Sequence, residues 1–452
     1  MALALSFAAA PVFAQTAFTA GDLVVSTYGV GGGFIDGVPT PISLVEFTTS
    51  GTEVMTDTLP TSDSGNNFGI VGEYGSSSEA NLQLSANDQS LLISGYQADA
   101  SYAGIGSPGG LGYSNENGDA LAQSNANLVP RLIADVGYNG VANISTQFDD
   151  IYNQNNPRSV WSANGTVFYI AGQGNSTNDQ GIFTVKAGSN TVTGSPAPTP
   201  ISSNTGLAIR IVSEYNGNLY YSTDVKSAAT GIFEYTGVPT TSAAVATQIL
   251  PANNGLSGSS KIDYSPDDFF FANTTTLYVA DTGDTKNKGP GDGGIQKWSL
   301  ISGDWTLDYT LTPSNFIQNY NNKTSGATDG EVGFESLTGV VVGGNVDLFA
   351  VSYTIADADA DGLYSISDSL DALTESGEDA GFLEIATAAG VGDDSTPTTV
   401  GGEVFKSVSF TPVPEPSTYA LLFGAASLGL MAWKRRKISQ AYTAPPSRIS
   451  PS

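Results

Sequence analysis

The chain has 452 residues with no cysteine and no histidine, and 44 acidic side chains outnumber 16 basic ones to give a net charge of −28 at pH 7. Such a surface repels phosphate backbones and excludes a direct nucleic-acid binder. Without thiol or imidazole there is no cysteine nucleophile, Ser-His-Asp triad, zinc finger or ordinary haem ligation, and carboxylate, hydroxyl and amide chemistry remains. Hydrophobic residues at 40% are enough for packed cores, so disorder is not the expectation.

Residues 1–14 read MALALSFAAAPVFA, an apolar run that ends in Val12-Phe13-Ala14 before Gln15. Small residues at those positions suit a signal peptidase, so 1–14 is expected to be an export signal peptide. It lacks a basic start, since the first basic residue is Arg131; a start further upstream would supply one. The bland alternative is a buried terminal helix or strand.

From 15 to 412 no long helical period is found. Short β-branched or aromatic runs recur between Gly, Asn, Asp and Pro turns, which predicts an all-β domain. One unit can be written out: an apolar strand, a polar loop, a glycine and an aromatic-rich strand. Val167-Phe168-Tyr169-Ile170-Ala171 leads to Gly181-Ile182-Phe183, and Leu219-Tyr220-Tyr221 leads to Gly231-Ile232-Phe233. Leu277-Tyr278-Val279 leads to Gly294-Ile295-Gln296, and Leu348-Phe349-Ala350 leads to Gly362-Leu363-Tyr364. Looser copies pair Leu23–Ser26 with Ser43–Phe47 and Leu91–Ser94 with Arg131–Ala134. Further strands flank them, such as 159–162, 208–213, 269–272, 337–342, 246–250 and 305–311. Four strands per unit and six units predict a six-bladed β-propeller; 61–75 and 100–129 leave room for a seventh blade. A pair of β-sandwiches or a β-solenoid would share the short strands but not the sixfold register. The first unit lacks an innermost strand, and 404–410 arrives unpaired, so the C-terminal strand is expected to close the ring and leave no long edge.

Inside this domain Asp357, Asp359 and Asp361 alternate ahead of Gly362, with Ser365 and Asp368 following. Carboxylates so spaced can point several oxygens at one centre, which suits Ca²⁺. The run resembles the DxDxDG calcium loops of EF-hands and of integrin-like propeller repeats, although its twelfth position is Asp368 rather than Glu. That resemblance implies calcium as the cofactor; a solvated acidic hairpin is the alternative. A second acidic loop, from Asp281 to Gly294, carries Lys286 and Lys288 and reads more simply as a flexible connection. Catalysis would need carboxylates at the channel mouth, and Asp267, Asp268, Glu335 and Glu214 lie beside predicted inner strands. Gly333-Phe334-Glu335-Ser336-Leu337 faintly resembles a segment of phytase-like or esterase-like propellers. The bases that would hold a phosphate, Arg158, Arg210, Lys226 and Lys261, look scattered. Trp161, Trp298 and Trp305 fall on strands and are expected in the core rather than on a glycan platform.

At the C-terminal side Val413-Pro414-Glu415-Pro416 precedes the uncharged stretch 419–433 and the basic cluster Lys434-Arg435-Arg436-Lys437. A helix of 15–18 residues rises about 25 Å, short for a bilayer core of about 30 Å, and the basic cluster stays cytoplasmic. The prolines keep Glu415 on an extended, accessible stretch. These three elements resemble the PEP-CTERM sorting signal of Gram-negative bacteria. The resemblance implies recognition by a membrane exosortase, processing near Pro414, Glu415 and Pro416, and delivery to the cell surface. Residues 438–452 continue beyond the basic cluster as an expected disordered tail. The whole reads as an exported, non-catalytic structural or adhesive propeller of the cell surface or extracellular matrix, anchored in the membrane until processed. Its partners would be exosortase and extracellular polysaccharide. The alternative is a calcium-dependent propeller hydrolase acting as a phosphoesterase or lactonase.

Overall fold

The computed structural model describes residues 16–414 except 32, 36, 75, 98–119, 202–207, 225–229, 243, 252–264, 284–292, 318–329, 356–358, 375–380, 389 and 391–401. The expected signal peptide, Asp357, Glu415, Pro416, the apolar stretch 419–433, the basic cluster and the tail lie outside the described residues. No helix among the described residues is long and apolar enough to cross a membrane.

Six antiparallel sheets follow one another along 16–412. Blade 1 runs Val404–Phe410, Leu23–Tyr28, Ser43–Phe47, Glu53–Thr58 from the inside outwards, so the last strand and the first share one sheet. Leu23 pairs with Phe410 and Tyr28 with Val404, which is the closure the sequence predicts. Blade 3 is Pro157–Ser162, Val167–Gly172, Gly181–Lys186, Thr199–Pro200, and blade 4 is Ile209–Tyr215, Asn218–Thr223, Gly231–Tyr235, Thr247–Pro251. Blade 5 is Pro266–Asn273, Thr276–Asp281, Gly294–Ile301, Asp304–Leu311; blade 6 is Glu331–Val342, Asn345–Thr354, Asp361–Ser369, Leu383–Ala388. Blade 2 is irregular. Its strand Ser90–Gln97 meets two short inner pieces, Ile70–Gly72 and Gln83–Leu84, and is followed outwards by Arg131–Gly137 and Ala142–Phe148. The segments with room for a seventh blade form no further four-stranded sheet among the described residues.

The packing explains why these strands read as unbroken apolar runs. Each second strand is sandwiched between two blades, so both of its faces are buried and alternate residues serve different cores. Leu23 and Val25 pack toward blade 6, with Val351 and Leu363, while Val24 packs toward blade 2, with Leu91 and Ile93. Phe168 and Ile170 join Leu92 and Ile133 of blade 2, whereas Tyr169 and Ala171 join Val212 and Leu219 of blade 4. One hydrophobic cluster fills each of the six blade junctions, including the junction of blade 6 with blade 1. Trp161 and Trp298 are core residues of two of them, as expected from the sequence, and Trp305 is partly buried against the second.

Candidate functional site: a charged girdle in the channel

The inner strands share one irregularity. In blade 3 Pro157 pairs with Gly172 and Val160 with Ile170, so Arg158 and Ser159 together face a single residue. The same β-bulge places Arg210 and Ile211 in blade 4 and Asp267 and Asp268 in blade 5. Glu335 in blade 6 and Lys406 in blade 1 are the extra residues at the equivalent rung. A bulge bends its strand and re-aims a side chain. Here it brings charged side chains to the equivalent rung of five blades: Arg158, Arg210, Asp267 with Asp268, Glu335 and Lys406. Serines of the second strands identify the rung again: Ser94 donates to the Arg158 carbonyl and Ser222 to that of Asp267. Ser26 donates to the carbonyl of Ala80, which follows Glu79 and holds a left-handed φ of 56° at the break in blade 2.

The next residue along links blade to blade. Ser159 accepts the Val212 amide at 2.9 Å, Asp268 the Leu337 amide at 3.1 Å, Ser336 the Val408 amide at 3.1 Å and Ser407 the Leu82 amide at 3.0 Å. Four of the six junctions are therefore tied by a short polar side chain that satisfies an otherwise buried N–H.

The charges in the girdle offset one another. Arg210 reaches Asp267 at 2.7 Å and Asp224 at 3.2 Å, and also touches Ser77 of blade 2. Burial works against its charge, yet the two carboxylates raise its pKa above the usual arginine value. Lys406 and Glu335 lie 2.9 Å apart, both buried, with the ammonium 3.7 Å from the centroid of the Tyr74 ring. Arg158 is bonded to Asn156, Gln173 and the Ile209 carbonyl. Burial, reinforced by Arg210, lowers it to about 10. Tyr28 is held well above the ordinary phenol range by burial and by Glu79, Glu73 and Glu335.

Asp268 differs from its neighbours. Burial raises its pKa to about 7, with Asp267 adding to the effect, against the amides of Leu337 and Phe269 and the Ser336 hydroxyl. It borders a channel cavity of about 150 Å³, which Ser213, Thr338, Leu337, Val408 and Ser409 also line.

Of the carboxylates expected at the channel mouth, Asp267, Asp268 and Glu335 are brought together. Glu214 is not: it accepts the Gly217 amide in the hairpin turn at the opposite end of the blade. The bases are less scattered than the sequence reading expected, because Arg158 and Arg210 join the girdle with Lys406, which that reading missed. Lys226 and Lys261 lie outside the described residues. A signal was present: Arg158-Ser159-Val160, Glu335-Ser336-Leu337 and Lys406-Ser407-Val408 repeat charged, small polar, apolar, with Asp267-Asp268-Phe269 a close variant.

The described members of the acidic run, Asp359, Asp361, Ser365 and Asp368, are dispersed. Asp359 accepts the Gly330 amide at 3.0 Å. Asp361 faces blade 1 and accepts the Phe405 amide; its pKa is raised well above the usual range, by burial first and then by Glu335. Ser365 sits mid-strand opposite Phe349 and Leu383. Asp368 points to blade 5 and is 3.0 Å from Lys297. At about 3.3 Å per residue, Asp361 and Asp368 stand about 23 Å apart on opposite faces of one strand, whereas Ca²⁺ ligands lie within about 2.6 Å of the ion. One ion cannot take both. Among the described residues no group of three or more acidic side chains is arranged to hold a metal. In the second acidic loop Asp281 accepts the Ser265 and Gly283 amides and the Gln296 side chain, which makes it a loop anchor.

Comparison with known proteins adds one firm assignment. Residues 412–437 match the PEP-CTERM protein-sorting motif. No curated protein matches the chain. Among solved structures, a GH74 enzyme of Niastella koreensis is 12% identical at a TM-score of 0.36, covering 77% of this chain, which spans only 45% of that one. A PL25 ulvan lyase is 10% identical at 0.38, covering 85% and 96%, and a GH43 endo-arabinanase from Bacillus licheniformis is 14% identical at 0.28, covering 56% and 92%. At these scores the likeness transfers neither activity nor ligand. The motif implies export and sorting to the cell surface, and is consistent with an exosortase as the sorting enzyme. The chain is a six-bladed β-propeller that carries a PEP-CTERM protein-sorting motif.

Proposed function

We propose that this exported propeller is a non-catalytic structural and binding component of the cell surface or extracellular matrix, engaging extracellular polysaccharide at the girdle end of the channel. Exosortase would process the segment 413–437, which holds the chain at the inner membrane until then. The observation that carries this reading is the mutual neutralisation of the girdle. Arg210 is committed to Asp267 and Asp224, and Lys406 to Glu335. A hydrolase needs an acid or base free to meet its substrate. These groups instead close the ring.

Asp268 favours a second reading. A buried carboxyl raised to about 7 beside a cavity is suited to general acid or base work near neutral pH. The two readings separate in one experiment on surface-released protein incubated with extracellular polysaccharide. The first expects retention on the polysaccharide with no new reducing ends or unsaturated products. Product release that Asp268→Asn abolishes would install the hydrolase.

A further inference from the structure

The junction of blades 5 and 6 contains a charged pair that the channel does not use. Lys297, on the third strand of blade 5, and Asp368, on the third strand of blade 6, both have side chains 0% exposed, and Nζ stands 3.0 Å from Oδ2. Their surroundings are the apolar cluster of Tyr278, Tyr309, Val346 and Ile366. The Tyr278 hydroxyl bonds to Oδ2, and the Tyr309 hydroxyl donates to Oδ1 at 2.7 Å. Nζ also donates to the Tyr309 hydroxyl at 3.1 Å and to the Ser369 carbonyl. The Lys297 nitrogen is thus held against a carboxylate, in a site closed to bulk water, with a hydroxyl on each carboxyl oxygen; passing one ammonium proton to Oδ2 frees the lone pair that attacks the carboxyl carbon.

We propose that Lys297 and Asp368 condense into an intramolecular amide that joins blade 5 covalently to blade 6. The Nζ–Cγ bond forms and the Cγ–Oδ2 bond breaks. Two of the three ammonium protons end on Oδ2, which leaves as water, and the third stays on the amide nitrogen. The Tyr278 hydroxyl, already bonded to Oδ2, is placed to shuttle the second proton. Oδ1 becomes the amide oxygen, and the Tyr309 hydroxyl stabilises the negative charge it carries as the tetrahedral centre forms. No oxidant or co-reactant is needed. Fixed positioning supplies the acceleration: Nζ is held 3.0 Å from Oδ2, so the two groups no longer have to find each other. The product would also supply what the composition withholds: an exported chain without cysteine has no disulfide to tie its sheets.

The test is the intact mass of natively purified, then denatured, protein, followed by proteolytic peptide mapping. The expected mass is one water below that of the unlinked chain, with one branched peptide joining the segments that hold Lys297 and Asp368. Asp368→Asn should give the same branched product by losing ammonia instead of water. Lys297→Arg, shown to be folded by its far-ultraviolet spectrum, should keep its full mass. Folded wild type and Asp368→Asn that both keep full mass and yield separate peptides would overturn the cross-link. So would a water loss that maps to any other pair, Lys406 with Glu335 included.

Discussion

The two ends of the propeller are built on different rules. At one end the strands turn back in two residues, at Asn216-Gly217, Thr274-Thr275, Ser302-Gly303 and Gly343-Gly344. Gly217, Gly303 and Gly343 adopt positive φ there, the backbone that tight hairpins demand and that glycine takes without a Cβ penalty. At the other end successive strands are separated by long stretches of sequence, 98–130, 252–265, 312–330 and 389–403, and the ends of the inner strands carry the bulged, charged girdle. Local backbone chemistry sets the first end. The second depends on side chains from different blades meeting across the channel, and loops held on a rigid scaffold are where proteins place recognition.

Removing the closing strand should undo both ends at once. A chain ending before Val404 loses the inner strand of blade 1 and uncovers Leu23, Val25 and Val351. Calorimetry should then show no cooperative transition, and a normal melting curve would refute closure by the C-terminal strand. Trp298→Ala, in the core between blades 4 and 5, should cost about 3–5 kcal/mol in denaturant unfolding, against less than about 0.5 kcal/mol for Ile301→Ala at the exposed hairpin end.

Asp268 gives the girdle a pH signature. Its folded pKa, about 7, lies above the unfolded value near 3.8, so the native state holds the extra proton between them. Its contribution to stability is complete below about pH 4 and is lost as pH rises to about 7. Denaturant titrations should show that Asp268→Asn removes this decline relative to wild type; identical pH profiles would refute the raised pKa. The smallest effect concerns metal. The calcium expected of the 357–368 run would make a chelator lower the melting temperature in wild type but not in Asp359→Ala, and an unchanged wild-type melting temperature would reject the site.

The strands were legible because burial between blades leaves its mark on the residues themselves. Leu219-Tyr220-Tyr221 and Leu277-Tyr278-Val279 are apolar on both faces, and Gly231 and Gly294 mark where each third strand begins. Closure was legible from Val404–Phe410, an apolar strand with no neighbour of its own in sequence. The strand Glu53–Thr58 escaped notice because it is largely solvated and reads as a polar loop. The girdle was only half legible. A bulge is a relation between two strands, so nothing local to Lys406 shows that it stands beside Glu335. Asp361 and Asp368 part for a related reason: spacing in sequence becomes distance once the segment is extended, and Asp368 pairs with Lys297 of another blade.

In this reading the channel charges hold the ring together by neutralising one another. A double-mutant cycle on Lys406 and Glu335, read by denaturant unfolding, tests it most directly. Lys406→Met alone leaves a buried carboxylate without its cation and should cost about 3–5 kcal/mol, while Lys406→Met combined with Glu335→Leu should recover most of that loss. Additive losses, or a Lys406→Met protein as stable as wild type, would contradict the claim and return the girdle to the service of a ligand or a reaction.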